Sequence, residues 1–161
     1  MNRASIPSLP TAVRFAQLIF FLLVLTSPVI AVAGPREEAN AVIDRWAAAY
    51  STNDPEAVVK HYSSDAILLG TVSPVLSQGT EAIRTYFSVI KGSGNKNVIG
   101  ERHTLVLNDN AVLVTGFYDF TRMTDGQSVP SPSRFTIMLI RDGGEWLIAH
   151  HHSSPRAQPT K

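Results

Sequence analysis

From Val98 onward the chain is a succession of apolar, β-branched segments cut by three short turn signals, and few architectures tolerate that pattern. Asn108-Asp109-Asn110 separates His103–Leu107 from Ala111–Arg122. Asp125-Gly126 separates that segment from Arg134–Ile140, and Asp142-Gly143-Gly144 separates the third segment from Trp146–Ser153. Asn, Asp and Gly reach the left-handed backbone that tight hairpin turns need, so the spacing predicts four consecutive antiparallel strands. Pro130 and Pro132 lack the N–H that a central ladder requires, which assigns them to the approach of the third strand rather than its interior.

The segment before Val98 has a different period. Ala39, Val42, Ile43, Trp46, Ala47 and Tyr50 form one apolar stripe at helical spacing, which predicts a helix over Arg36–Ser51. Asp54 and Pro55 are an N-cap and a first helical position, and a short helix through Val58, Val59 and Tyr62 follows. Ala66–Leu69 suits a brief strand. Gly79-Thr80 opens a third helix with Ile83, Tyr86, Phe87 and Ile90 on one face, closed by Lys91-Gly92-Ser93-Gly94-Asn95. Helices first and strands afterwards give an α+β class. The expected architecture is a cone-shaped barrel, with the N-terminal helices packed on a curved antiparallel sheet around an interior pocket.

Composition removes several function classes. The chain of 161 residues has no cysteine, which excludes thiolate nucleophiles, disulfides and zinc fingers. Fourteen Lys and Arg against thirteen Asp and Glu give no basic excess for nucleic acid. No G-x-S-x-G, Walker, Rossmann or H-E-x-x-H motif is present, and neither a cofactor nor a metal is expected.

Residues 1–33 are a separate kind of sequence. Arg3 and Arg14 are the only charged side chains before Arg36, Phe15–Leu25 is apolar apart from Gln17, and Pro28 precedes Ala31-Val32-Ala33. A basic start, a short apolar run and an A-x-A site describe a secretory signal peptide cut after Ala33. The alternative is a retained anchor, for which the apolar stretch is near the lower length limit. Cleavage gives a periplasmic or secreted protein with no membrane attachment. The expected organisation is therefore a leader over 1–33, one domain over 34–156 and a flexible tail over 157–161.

The runs DPEAVVKHYSSDAILLG, QGTEAIRTYF and DGGEWLIAHHHSSP resemble the nuclear transport factor 2-like superfamily. Within it they are similar to SnoaL-like proteins, to the SgcJ/EcaC group and to the calcium/calmodulin-dependent protein kinase II association domain. The matching positions are Asp54, Ala66, Gly70, Gly79, Ile83, Asp142, Gly143, Trp146, His150, His152, Ser154 and Pro155, within Arg36–Pro155. The resemblance implies a conical fold with a pocket and association into dimers or larger rings. It does not imply one activity, because the fold hosts isomerases, dehydratases, cyclases and non-catalytic assembly modules. Kinase activity and calmodulin binding are not expected, since nothing in the sequence supplies a kinase or a calmodulin-binding helix.

Several residues are candidates for the pocket. His150 and His152 share one face of the last strand and His151 the other. Either of the two could move a proton; a metal would need further ligands, and none is assigned. Tyr118, Phe120 and Arg122 share a face of the second strand, and Arg122 or Arg134 pointing inward would hold a carboxylate or an enolate oxygen. Asp119, Asp65, Tyr50 and Tyr118 are acid–base candidates, although no carboxylate–tyrosine pair matches the ketosteroid isomerase pattern. Trp46, Tyr50, Tyr86 and Phe87 suit either core or cavity wall.

Two readings follow. The chain is an oligomerising ligand-binding or association module with a polar-ended apolar cavity, for a small hydrophobic or anionic ligand. Alternatively it is a cofactor-independent isomerase, dehydratase or cyclase on a small hydrophobic carbonyl compound. A homodimer or higher assembly through the sheet is expected, because Val112, Leu113, Phe117, Leu147 and Ala149 leave apolar surface on both faces.

Overall fold

A computed structural model describes residues 33–157, and the expectations for the leader and the extreme C-terminal tail fall outside the described residues. Helix α1 spans Pro35–Tyr50, with Pro at its first turn and Glu37 and Glu38 at its positive end. Its stripe Ala39, Val42, Ile43, Trp46, Ala47 and Tyr50 is buried. Asp54 caps helix α2 (Pro55–Val59) by accepting a hydrogen bond from Glu56 N at 3.0 Å. Strand β1 covers Tyr62–Leu69, so Tyr62 begins a strand rather than ending a helix. Strand β2 (Leu76–Gln78) leads into helix α3 (Gly79–Phe87), and Ser88–Ile90 tightens into a 3-10 turn.

The second half is strand β3 (Lys96–Asn108), β4 (Ala111–Thr124), β5 (Gln127–Asp142) and β6 (Glu145–Pro155). The six strands form one sheet in the order β2-β1-β6-β5-β4-β3. The sheet curves but stays open, with β2 and β3 at its two edges, so it is a cone-like wrap rather than a closed barrel. One pairing is parallel, β1 with β6. It joins the N-terminal half to the last strand, a register that no local pattern encodes.

Pro130 and Pro132 lie within β5, where they pair with Thr121 and Asp119 of β4. They are tolerated because β6 first pairs with β5 at Ser133. The stretch before Ser133 therefore has a neighbour on one side only, and the missing N–H groups leave no ladder unfilled.

One face of the sheet and the stripe of α1 close a single core. Val112, Val114, Tyr118 and Phe120 of β4 meet Phe135, Ile137 and Leu139 of β5 there. Val112 is wholly buried in this core and adds nothing to the outer face. Each such side chain contributes roughly 1.5–3 kcal/mol relative to exposure. Gly116 sits on the inner face between Val114 and Tyr118. A Cβ there would lie 2.5 Å from the Glu101 carbonyl oxygen and 2.8 Å from Arg102 Cα. The β3 ladder is irregular at this place, between Ile99 and Arg102, so β3 bends inward over the missing side chain. Arg102 then reaches α1 and forms a two-pronged pair with Asp44 at 2.6 and 2.9 Å.

Candidate functional site

A cavity of about 440 Å³ opens between α1, α3 and the concave face of the sheet. Its walls are aromatic and aliphatic: Trp46, Tyr50, Leu68, Tyr86, Phe87, Ile90 and Phe120. Its polar lining is Thr71, Ser73, Thr85, Asn95, Tyr118, Arg122, His151 and Ser153, with no Asp or Glu among the lining residues.

The inner end is a hydrogen-bonded chain. Trp46 Nε1 donates to the Tyr62 hydroxyl at 3.0 Å. That hydroxyl lies 2.8 Å from His151 Nδ1, and the Tyr118 hydroxyl lies 3.2 Å from His151 Nε2. The Trp46 and His151 rings meet edge to face, with centroids 5.1 Å apart. Burial lowers the His151 pKa to about 3, with His150 and His152 adding smaller repulsions. The imidazole is therefore neutral at physiological pH. Burial also raises the Tyr118 pKa, partly offset by hydrogen bonding to Ser153 and Thr71. Ser153 and Thr71 are hydrogen-bonded to each other across the cavity wall.

The other polar feature is Arg122. It follows Tyr118 and Phe120 on the inward face of β4, and among the described residues it has no ion-pair or hydrogen-bond partner. Its charge is felt by Tyr50 and Tyr86, whose pKa values burial raises and Arg122 pulls part of the way back. The Tyr86 ring can lie beside Thr71 only because residue 70 is glycine. A Cβ at Gly70 would fall 2.2 Å from that ring.

A family profile described as a SnoaL-like domain matches residues 39–158. The chain belongs to the SnoaL-like family. Its fold is shared with a Xanthomonas campestris protein assigned as a calcium/calmodulin-dependent protein kinase II association domain. That protein is 31% identical, the alignment covers 84% of this chain and 100% of that one, and the TM-score is 0.72. An NTF2-like protein with a cystatin-like fold from Novosphingobium aromaticivorans aligns over 93% of this chain and 92% of its own at 15% identity and a TM-score of 0.66. A protein assigned as a dehydratase of the NTF2-like family from Streptomyces avermitilis aligns over 77% and 97% at 15% identity and a TM-score of 0.68. No curated protein matches the sequence.

In this SnoaL-like domain Trp46, Tyr50, Tyr118 and Arg122 come together at the cavity, and His150, His152 and Arg134 do not. The cause is one extra residue in β6. Leu139 pairs with Ile148, but the next residue, Met138, pairs with His150, so Ala149 bulges out of the ladder. Strict alternation from Trp146 and Ile148 would turn His150 and His152 inward; the bulge reverses the parity. His151 is 2% exposed and Ser153 6% exposed, both on the concave side. The proton-transfer candidates His150 and His152 are thus corrected to the outer face, where His152 is exposed and His150 half-buried.

Arg134 is also on the outer face, donating from Nε to Ser154 Oγ at 3.0 Å. It shares a shallow groove there with His152, His103, Glu101 and Phe117. Asp119 is exposed and pairs with Arg156 at 3.2 Å, and Asp65 is exposed and accepts from Ser63 at 3.1 Å, so neither carboxylate reaches the cavity. Among the described residues no group of three His, Cys, Asp or Glu is placed to hold a metal ion, and no helix is long and apolar enough to cross a membrane. Nothing local in the sequence marks His151, Tyr62 or Ser153 as cavity residues. A bulge at an alanine carries no local signal, and Tyr62 has the look of a helix residue.

Proposed function

We propose that this SnoaL-like domain is an exported, self-associating ligand-binding module, whose cavity takes a small and largely apolar molecule by an anionic end. The observation that carries this reading is Arg122, a guanidinium that has no carboxylate partner among the described residues, on the wall of an aromatic cavity with no acidic residue among its described lining. A guanidinium offers five donors in a planar fork, and a bound carboxylate would satisfy two of them at once. The apolar walls supply burial for the rest of the ligand. Export is supported by the basic start, the apolar run and the Ala31-Val32-Ala33 site. Self-association is supported by Phe117, Leu105 and Leu107, which are 38%, 58% and 49% exposed.

Calorimetric titration with phenylacetate tests the anion claim. Arg122→Gln is expected to weaken phenylacetate at least about tenfold, the range for a hydrogen bond to a charged group. Binding of neutral 2-phenylethanol should change little. Equal phenylacetate affinity in the two proteins would contradict the reading.

The isomerase or dehydratase reading is favoured by one observation, the Tyr118–His151–Tyr62 chain at the inner end. It is weakened by two others. Both imidazole nitrogens are already engaged, and among the described residues no carboxylate lines the cavity to act as a base. Turnover of an enolisable ketone, abolished by His151→Gln, would favour it.

A further inference from the structure

We propose that Trp46 fixes the direction of the buried hydrogen-bond chain, so that Tyr118 presents its O–H to the cavity and the inner end becomes a donor site for a carbonyl oxygen. This rests on the ligand-binding reading above and adds the second functional group of the ligand.

The direction follows from counting donors and acceptors. The Trp46 indole N–H can only donate, so the Tyr62 oxygen accepts from it at 3.0 Å. The Tyr62 proton then has one acceptor within reach, His151 Nδ1 at 2.8 Å. If Nδ1 carried the hydrogen instead, Tyr62 would receive two donors and its own proton would be buried without a partner. An unsatisfied buried donor is the costly arrangement. Nδ1 is therefore bare, and the neutral imidazole carries its hydrogen on Nε2. That hydrogen goes to the Tyr118 oxygen at 3.2 Å. The Tyr118 proton is left pointing to Ser153, Thr71 and the cavity.

Each member is held by its surroundings. Trp46, Tyr118 and His151 are 1%, 1% and 2% exposed, and Tyr62 is 6% exposed. With the ring and its oxygen held in place, a carbonyl oxygen arriving beside Ser153 and Thr71 receives this proton by a turn of the hydroxyl alone. Tyr118 and Arg122 are four residues apart on β4, about 13 Å of extended backbone. A ligand with a carbonyl oxygen at the inner end and an acidic group towards Arg122, an oxo acid with an apolar body, would satisfy both. His151 and Trp46 are positioning residues in this scheme, because they act through Tyr118.

Two measurements test it. The first is the nitrogen-15 NMR spectrum of the His151 ring in the free protein, which distinguishes the two neutral tautomers. The Nε2–H form is expected. The second compares acetophenone with α-methylstyrene, which replaces the carbonyl oxygen by a methylene of similar shape. Tyr118→Phe is expected to weaken acetophenone about tenfold and α-methylstyrene less than about twofold. Trp46→Phe is expected to mix the ring tautomers and to narrow the ratio of acetophenone to α-methylstyrene affinity, whatever loss the two probes share. A purely structural role for Trp46 would move neither the tautomer nor the preference. An Nδ1–H tautomer overturns the proposal while the ligand-binding reading stands. So does equal loss of both probes in Tyr118→Phe. Failure of acetophenone to bind the wild-type protein while phenylacetate binds also overturns the proposal and leaves the ligand-binding reading intact.

Discussion

Of the described histidines with a lowered pKa, His151 is moved further than His61. Its pKa is about 6.5 in an unfolded chain and is lowered to about 3 here, first by burial. Between those values the unfolded chain binds a proton that the folded protein refuses. Stability is therefore full above about pH 6.5 and declines as pH falls towards 3, with a slope of up to roughly 1.4 kcal/mol per pH unit for one such group. His61 acts in the same direction, lowered to about 4 by burial and then by Lys60 and Arg45. Urea midpoints measured from pH 7.5 down to pH 4.5 should fall in the wild type. In His151→Gln the fall should be shallower, with the His61 contribution remaining, whatever the loss at neutral pH. An unchanged slope in that variant would mean that the ring is not buried neutral.

At the scale of elements, two irregularities shape the sheet, the inward bend of β3 at Gly116 and the bulge of β6 at Ala149. Gly116 lets β3 fold over β4, and the Cβ of alanine would meet Glu101 and Arg102 backbone atoms inside contact distance. Gly116→Ala is expected to destabilise the protein by about 1–3 kcal/mol, the usual penalty of overpacking. A chemical denaturation midpoint equal to that of the wild type would show that β3 does not bend there.

The bulge at Ala149 explains why the site was only half legible in the sequence. The stripe of α1, the Asp54-Pro55 cap and the three hairpin signals are local patterns, and the helices and β3–β6 follow from them. Tyr118 and Arg122 share a face in an unbroken run of β4, so their joint placement at the cavity is readable from alternation. His151 is not, because the parity of β6 changes at an alanine with no turn chemistry of its own. The parallel pairing of β1 with β6 depends on a partner about eighty residues away, and β2, paired with its neighbour β1, is too short at three residues to show a period.

On the scale of the molecule, one sheet carries a cavity on its concave face and exposed apolar side chains on its outer face. Phe117 and Leu105 lie on β4 and β3, and Leu113, paired with Leu105, is half-buried beside them. Sedimentation at micromolar concentration is expected to show a dimer or a larger assembly, and Phe117→Glu with Leu105→Glu to shift it towards monomer while the fold is kept. A monomeric wild type would contradict self-association and would leave the cavity claim intact. That claim is tested most directly by crystals soaked in 4-bromophenylacetate, where the anomalous signal of bromine locates the ligand without bias. One bromine is expected among the aromatic walls of the cavity, with the carboxylate on Arg122. Bromine in the outer groove beside Arg134 and His152, with the cavity empty, would contradict it.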